Sequence, residues 1–424
     1  MAAPYPAIAA REERTAAPSR LADGAGNPHI GGMPLDPIVP AAGLVALAGR
    51  LAVTRLSLSD FRCYREARLE AEPAPVVLTG PNGAGKTNLL EAISLLAPGR
   101  GLRRARLGEI DRRGEPAAPW AVAASVATPR GSVRIGTGRE ATAAGGERRV
   151  VRIDGAAARS QAALAEHVNL VWLTPQMDRL FLEGSGARRR FFDRLVYGFD
   201  PAHAARSAAY EQALRERARL LRDGLAEPAW LSALEEVMAE RGVAAAAGRR
   251  EAVERLDRAC AGAEGPFPRA RLRLVGTVEE WLAAMPALAA EERLAAALVA
   301  NRQNDAQTGS TSIGPHRSDL AVVLAEKGIA AELASTGEQK ALLISITLAH
   351  ARLQRTVRGE PPVLLLDEIA AHLDASRRAA LFEALLRLDS QVWLTGTDEA
   401  LFAPLRGEAQ FISVREGKLA ATFF

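Results

Sequence analysis

Cysteine is almost absent from the 424 residues: Cys63 and Cys260 stand far apart without a C-x-x-C pair. This excludes a disulfide framework and a cysteine zinc site, and it suits a reducing cytoplasm. Long apolar runs are missing too. The longest near the start, Ile38 to Ala48, is broken by Pro40 and Gly43 and falls short of the roughly 18 residues that a membrane-spanning helix needs, so no membrane segment is expected. No heptad run appears, which argues against long coiled-coil arms. Charge of one sign is also scarce, the formal net charge being only +4. The isoelectric point is nevertheless near 9.4, and arginines cluster at Arg103-Arg104, Arg112-Arg113, Arg148-Arg149 and Arg188-Arg189-Arg190. Such clusters make nucleic acid a candidate partner, with an ordinary solvated face as the alternative at any one of them. At 48% hydrophobic and 25% charged residues, the composition is that of a globular chain with two or three domains.

What is present is a phosphate-binding signature. The apolar run Val76-Val77-Leu78-Thr79 gives way to Gly80-Pro81-Asn82-Gly83-Ala84-Gly85-Lys86-Thr87-Asn88, followed by the helix-like Leu89-Leu90. This is the strand, loop and helix context of a G-x-x-x-x-G-K-[ST] P-loop, and a chance Gly-rich turn would lack both flanks. The glycines let backbone N–H groups converge on phosphate oxygens at a helix N-terminus. Lys86 then reaches the β- and γ-phosphates, and Thr87 ligates Mg²⁺.

Around this loop the sequence divides into four parts. Residues 1–49 are rich in Ala, Pro and Gly and read as a disordered extension or a mis-assigned start. Glu12, Glu13, Asp23 and Asp36 disfavour a transit peptide. Residues 50–192 carry the P-loop and short β-like runs around Ala121–Ala127, Val133–Gly136 and Val150–Ile153, which read as an antiparallel layer. A strand over Val168–Thr174 ends in Pro175-Gln176. Residues 193–300 read as an inserted helical arm. Tyr210, Leu214 and Leu221 share one helical face up to a stop near Gly224, and Trp230, Leu234, Val237 and Met238 mark a returning helix. Residues 301–424 return to the nucleotide-binding layer.

The second half of the site is Pro362-Val363-Leu364-Leu365-Leu366-Asp367-Glu368, a buried strand ending in two carboxylates. Asp367 is placed to hold Mg²⁺, and Glu368 to polarise the attacking water. Ahead of it, Ser335-Thr336-Gly337-Glu338-Gln339-Lys340 opens a long apolar-periodic helix. That stretch is either a second anion-binding helix start or a plain capping box of Ser335 with Glu338. Gly314-Pro315-His316-Arg317 is a polar corner, and His372, with no second His or Cys nearby, reads as a surface residue and not a metal ligand.

The P-loop with Asn in its third position, the strand ending in Pro-Gln, the S-x-G-x-Q-like signature and hhhhDE followed by His372-Leu373-Asp374 resemble the ABC-type ATPases of the SMC class. Asp60-Phe61-Arg62-x-Tyr64, Arg188-Arg189-Arg190-Phe191-x-Asp193, Gly314-Pro315-His316-Arg317-x-Asp319 and Thr395-Gly396-Thr397 narrow the resemblance, over about residues 51–424, to the RecF family. The resemblance implies an α/β fold, an ABC-type P-loop ATPase head with an antiparallel β layer and an inserted helical arm. The interval from Lys86 to Asp367 agrees, being too long for a bare transporter ATPase and too short for SMC arms.

The resemblance further places Arg62 near the phosphates and makes Gln176 the group sensing Mg²⁺ and γ-phosphate. It sets Asp374 facing a partner subunit, Thr397 at the switch position, and Ser335 and Gly337 against nucleotide bound by that partner. Gln176 and Glu338 depart from residues common in the family. The implied activity is weak, DNA-stimulated hydrolysis of ATP with Mg²⁺, driving homodimerisation on gapped or double-stranded DNA and assisting RecA loading with RecO and RecR. A transporter ATPase subunit and a non-catalytic nucleotide-binding scaffold are the competing readings.

Overall fold

The computed structural model describes residues 50–112, 114, 118–142, 145–224, 227–263 and 265–422, with the side chains of His372 and Thr422 left out. The expected extension over 1–49 and Arg113 of the Arg112-Arg113 pair lie outside the described residues. The chain begins with β1 (Ala52–Phe61), β2 (Tyr64–Glu70), β3 (Val76–Thr79) and α1 (Lys86–Ser94), then β4 (Ala121–Thr128), β5 (Gly131–Ala141), β6 (Glu147–Ile153), β7 (Ala156–Ala157) and β8 (Leu170–Leu173). Helices α2 (Ser185–Tyr197), α3 (Ala202–Asp223) and α4 (Pro228–Ala261) follow, then β9 (Ala270–Val275), α5 (Thr277–Ala284), α6 (Ala287–Ala300) and α7 (Arg302–Thr308). The chain closes with β10 (Asp319–Leu324), β11 (Ile329–Ala330), α8 (Thr336–Arg358), β12 (Val363–Leu366), α9 (Ala375–Leu388), β13 (Val392–Gly396), β14 (Gln410–Arg415) and β15 (Lys418–Thr422).

The sheet that carries the P-loop runs β15-β14-β3-β13-β12-β8, parallel except for β15. Its strands read as unbroken apolar runs because both faces are covered. Val77, Val171, Leu364, Leu366 and Leu394 enter one core with α8, α9 and α2, while Val76, Leu78, Trp172, Leu365 and Trp393 enter a second core with α1. The far wall of that second core is the expected antiparallel layer, β2-β1-β4-β5-β6-β7.

Polar side chains tie the layers. The Gln391 amide donates to Val53 O at 3.0 Å and Glu72 O at 2.8 Å, and its oxygen accepts from Val53 N at 2.8 Å and Trp393 Nε1 at 3.0 Å. Arg149 of β6 donates to Leu95 O and Gly99 O just beyond α1 and to Thr137 Oγ1. A cation thus caps the negative end of the P-loop helix from another layer, and burial pulls its pKa down to about 9.

The helical arm has its own core of Tyr210, Met238, Val243, Leu294 and Leu298. At its centre, Arg217 donates to Glu235 at 2.8 Å, to Asp305 at 2.8 Å and to Leu298 O at 2.7 Å, with Arg217 and both carboxylates out of solvent. This network turns α4 partly off the face that hydrophobic spacing predicts, Leu234 and Met238 still packing in the arm core. Trp230 and Val237 are 50% and 39% exposed, while Leu231, Glu235 and Met238 are buried, because Arg217 draws a carboxylate inward where spacing calls for a hydrophobe. Farther along α4, Val253, Leu256 and Cys260 leave the arm and pack in the core of the head.

His350 of α8 is fully buried and bonds Leu195 O at 2.9 Å through Nε2. Burial lowers its pKa from 6.5 to about 4, the hydrogen bond opposing in part. A folded-state pKa below the unfolded value means that the unfolded chain gains the proton first on acidification. Its contribution is therefore complete above pH 6.5 and is lost as pH falls toward 4, at about 1.4 kcal/mol per pH unit and up to roughly 3 kcal/mol. His350→Gln is expected to flatten that part of the profile in urea unfolding measured from pH 7 to pH 4. An unchanged slope would remove His350 as its source.

Candidate nucleotide site

The P-loop leaves β3 with Gly80 at φ 147°, and a Cβ there would sit 2.1 Å from the carbonyl oxygen of Val414 on β14. At Gly85, φ 114°, a Cβ would sit 2.5 Å from the Tyr64 hydroxyl. Both turns therefore require glycine. Tyr64 Oη donates to Gly85 O at 3.1 Å, and Gly417 N donates to Ala84 O at 3.2 Å, so β2 and the β14–β15 turn brace the loop from behind. Pro81, Asn82 and Gly83 stay exposed at its crest.

Lys86, at the first position of α1, folds its ammonium back onto the carbonyls of Gly80 at 2.6 Å and Pro81 at 2.8 Å. Burial lowers its pKa against the pull of Glu368 and Asp367. Thr87 Oγ1 donates to Asp367 at 2.9 Å across 280 positions of sequence, which brings the P-loop and the end of β12 together. On the other side of Asp367, Thr395 of β13 donates through Oγ1 at 2.8 Å. Burial raises the Asp367 pKa, and these two hydroxyl donors oppose it. Glu368 follows in a left-handed conformation, φ 51°, with its N–H donating to Thr395 Oγ1 at 2.9 Å. Thr395 thus fixes both carboxylate residues.

Arg62 is held at the edge of the site by a bidentate pair with Glu91 of α1, at 2.8 and 2.6 Å. Arg103 donates to Glu91 at 2.9 Å and to Asn88 Oδ1 at 2.7 Å, and the Asn88 amide donates to Cys63 Sγ at 3.1 Å. Gln176 lies exposed in the turn Pro175–Arg179 after β8, the strand beside β12. Ser335 and Gly337 are exposed at the start of α8, where Ser335 and Glu338 form a reciprocal capping box. Lys327 sits 2.6 Å from Glu338 and, with the Ser335 bonds, lowers its pKa to about 2. Asp374 caps α9 by accepting from Arg377 N at 2.8 Å. Thr397 is exposed just past β13.

Motif reading quoted Thr395 only as part of Thr395-Gly396-Thr397, with no role of its own, and passed over Glu91. Thr395 ends an apolar strand as its only hydroxyl residue, and Glu91 is a carboxylate on an otherwise buried helix face. Both are signals that a polar group has a buried partner.

Residues 55–141 match the model of the AAA domain family. Two curated relatives, both called "DNA replication and repair protein RecF", come from Mesorhizobium japonicum and Rhizobium meliloti. The first is 50% identical, covering 87% of this chain and 98% of the relative. The second is 48% identical, covering 88% and 99%. A solved structure of "the recombination mediator protein RecF-ATPrS in RecFOR pathway" superposes with a TM-score of 0.74 at 22% identity, over 88% of this chain and 99% of that one, and so shares the fold. Since relatives near half identity run along almost their whole length with a chain that carries this head, this P-loop and this arm, the chain belongs to the RecF family.

Proposed function

We propose that the chain is an ATP-dependent DNA-binding protein of recombinational repair and replication. In this reading ATP joins two heads into a dimer on gapped or double-stranded DNA, and slow, DNA-stimulated hydrolysis releases it. The observation that carries the reading is the meeting of Lys86, Thr87, Asp367 and Glu368 at one end of the parallel sheet. Lys86 trades the carbonyls of Gly80 and Pro81 for phosphate oxygens. The Thr87 hydroxyl and the Asp367 carboxylate are hard oxygen donors of the kind Mg²⁺ takes, and the ion when bound neutralises charge on the β- and γ-phosphates. Glu368 accepts the proton of the attacking water, and Gln176 senses the γ-phosphate. Membership in the family supports assistance to RecA loading with RecO and RecR. No described helix is long and apolar enough to cross a membrane.

Ser335 and Gly337 are exposed at a helix start whose N–H groups suit an anion, which supports their reaching nucleotide held by the other subunit. Any ligand that binds the dimer better than the monomer shifts the equilibrium toward dimer by that difference, so ATP is expected to do so and ADP much less. A Cβ on Gly337 meets nothing within 4 Å, so Gly337→Arg leaves its own fold and capping box intact and obstructs only a facing copy. In sedimentation with Mg²⁺ and ATP, the parent is expected to dimerise and retain gapped DNA, and the variant to remain monomeric. A parent that stays monomeric at saturating ATP, or a variant that dimerises equally well, removes the two-headed clamp.

A further inference from the structure

The runs Arg188-Arg189-Arg190 and Gly314-Pro315-His316-Arg317, which the nucleotide site leaves unused, meet where head and arm join. Between them lies a cavity of about 340 Å³, walled by α2, α3, α4 and Arg104. Its carboxylates already have cations. Asp193 accepts from Arg249 at 2.7 and 3.0 Å and lies 2.9 Å from His203, while Glu211 faces Arg215 at 3.6 Å. His316 adds no charge. Its Nε2 bonds the Thr311 carbonyl, which only accepts, so Nε2 carries the proton and Nδ1 accepts from Tyr210 Oη at 2.6 Å. Burial keeps its pKa near 4.

Three guanidiniums lack a direct carboxylate partner among the described residues, although Glu183, Glu211 and Asp193 act on Arg190 from a distance, and Asp193 on Arg189. Among the described residues, Arg104, Arg189 and Arg190 form no ion pair; Arg189 donates to the Ser318 carbonyl at 2.6 Å. Arg190 and Arg104 lie close enough that, after burial, Arg104 is the main influence lowering the pKa of Arg190. On the same wall, the Ser207 hydroxyl is shielded from solvent and has no hydrogen-bond partner among the described residues. Like charges gathered around an unpartnered donor imply an anion from outside the chain.

We infer that this cavity binds phosphate groups of a nucleic-acid backbone, with Arg104, Arg189 and Arg190 supplying the guanidinium forks and Ser207 a further donor. The inference rests on the DNA-binding reading above and gives it a location. Arg104 and Arg190 are exposed, so the site opens to solvent, as a polymer that continues outward requires. Arg104 takes a left-handed backbone, φ 57°, directly after Arg103, which holds Asn88 and Glu91 of α1. Phosphate contact at the arm is therefore one residue away from the helix that opens at the P-loop.

The test is binding of a gapped duplex by the full chain with ATP, across about 50 to 200 mM salt, for the parent, Arg104→Ala/Arg190→Ala and Arg104→Lys/Arg190→Lys. Loss of two phosphate contacts is expected to reduce the slope of log K against log salt by up to about 1.8. The lysine pair is expected to restore most of it, and ATP affinity and melting temperature should not change. Inorganic phosphate forms the second arm. If it raises the melting temperature of the parent alone while the DNA slopes coincide, the cavity takes free phosphate and the proposal is overturned. A parent that binds DNA while the alanine pair keeps its slope overturns the cavity alone. A parent that binds no DNA overturns the DNA-binding reading and the cavity with it.

Discussion

Glu368→Gln is expected to keep ATP bound while lowering turnover by roughly 10²- to 10⁴-fold, the usual contribution of a positioned general base. The substitution is nearly isosteric and leaves the bond that the backbone N–H of residue 368 donates to Thr395 Oγ1 in place. Gln meets the same left-handed backbone cost as Glu, so the end of β12 keeps its shape and Asp367 keeps both hydroxyl donors. What disappears is the carboxylate placed to accept the proton of the attacking water. Calorimetric titration with ATP, paired with single-turnover hydrolysis, separates the two effects. Hydrolysis at the parental rate would assign the base to another residue.

Arg217→Ala is expected to cost about 3–5 kcal/mol, the penalty for leaving buried charges without their partner. Two carboxylates, Glu235 and Asp305, would be left out of solvent at the centre of the arm, with Arg302 still beside Glu235 at 2.5 Å. That loss is a large fraction of the stability of a typical domain. The arm has its own core, so the loss should concentrate there. Hydrogen exchange is expected to accelerate in α3, in the N-terminal half of α4 and in α6, with β3 and β12 largely protected. An exchange pattern and urea midpoint equal to the parent's would mean that the network does not hold the arm.

The strands that build the site were legible because each is covered on both faces and ends in a candidate site residue. Val363 to Asp367 and Val76 to Gly80 announce themselves as apolar runs followed by chemistry. The first arm helix was legible in extent, with Gly224 closing it in a left-handed turn, φ 66°; the second was legible as a helix but not in extent, since it runs on to Ala261. The orientation of the second was legible only in part: Leu234 and Met238 face the arm core, but a buried ion network has no hydrophobic period and Glu235 looks like any surface glutamate until Arg217 is placed against it. The same limit hid the role of Thr395, which the motif had quoted without one. Its role depends on β13 lying next to β12 in register, Leu366 opposite Leu394, and that adjacency is set by topology. Arg62 shows a third kind of limit: a motif locates the residue near the loop, but only packing reveals that Glu91 takes up its guanidinium.

The position of β3 within its sheet bears on how the protein is made. Both of its neighbours, β13 and β14, come from the end of the chain. On the ribosome the P-loop strand therefore emerges roughly 330 residues before β14 can pair with it, an interval of about 15–65 s at ordinary elongation rates. The antiparallel layer has all its strands early and can assemble first, while Val76, Val77 and Leu78 wait with apolar faces and open backbone groups. A nascent chain truncated before Val392 holds every residue of the Gly-rich loop and still lacks both strands that flank it. For most of synthesis the loop that would meet nucleotide stands without its flanking strands, and a chaperone that shields this strand would act during that interval.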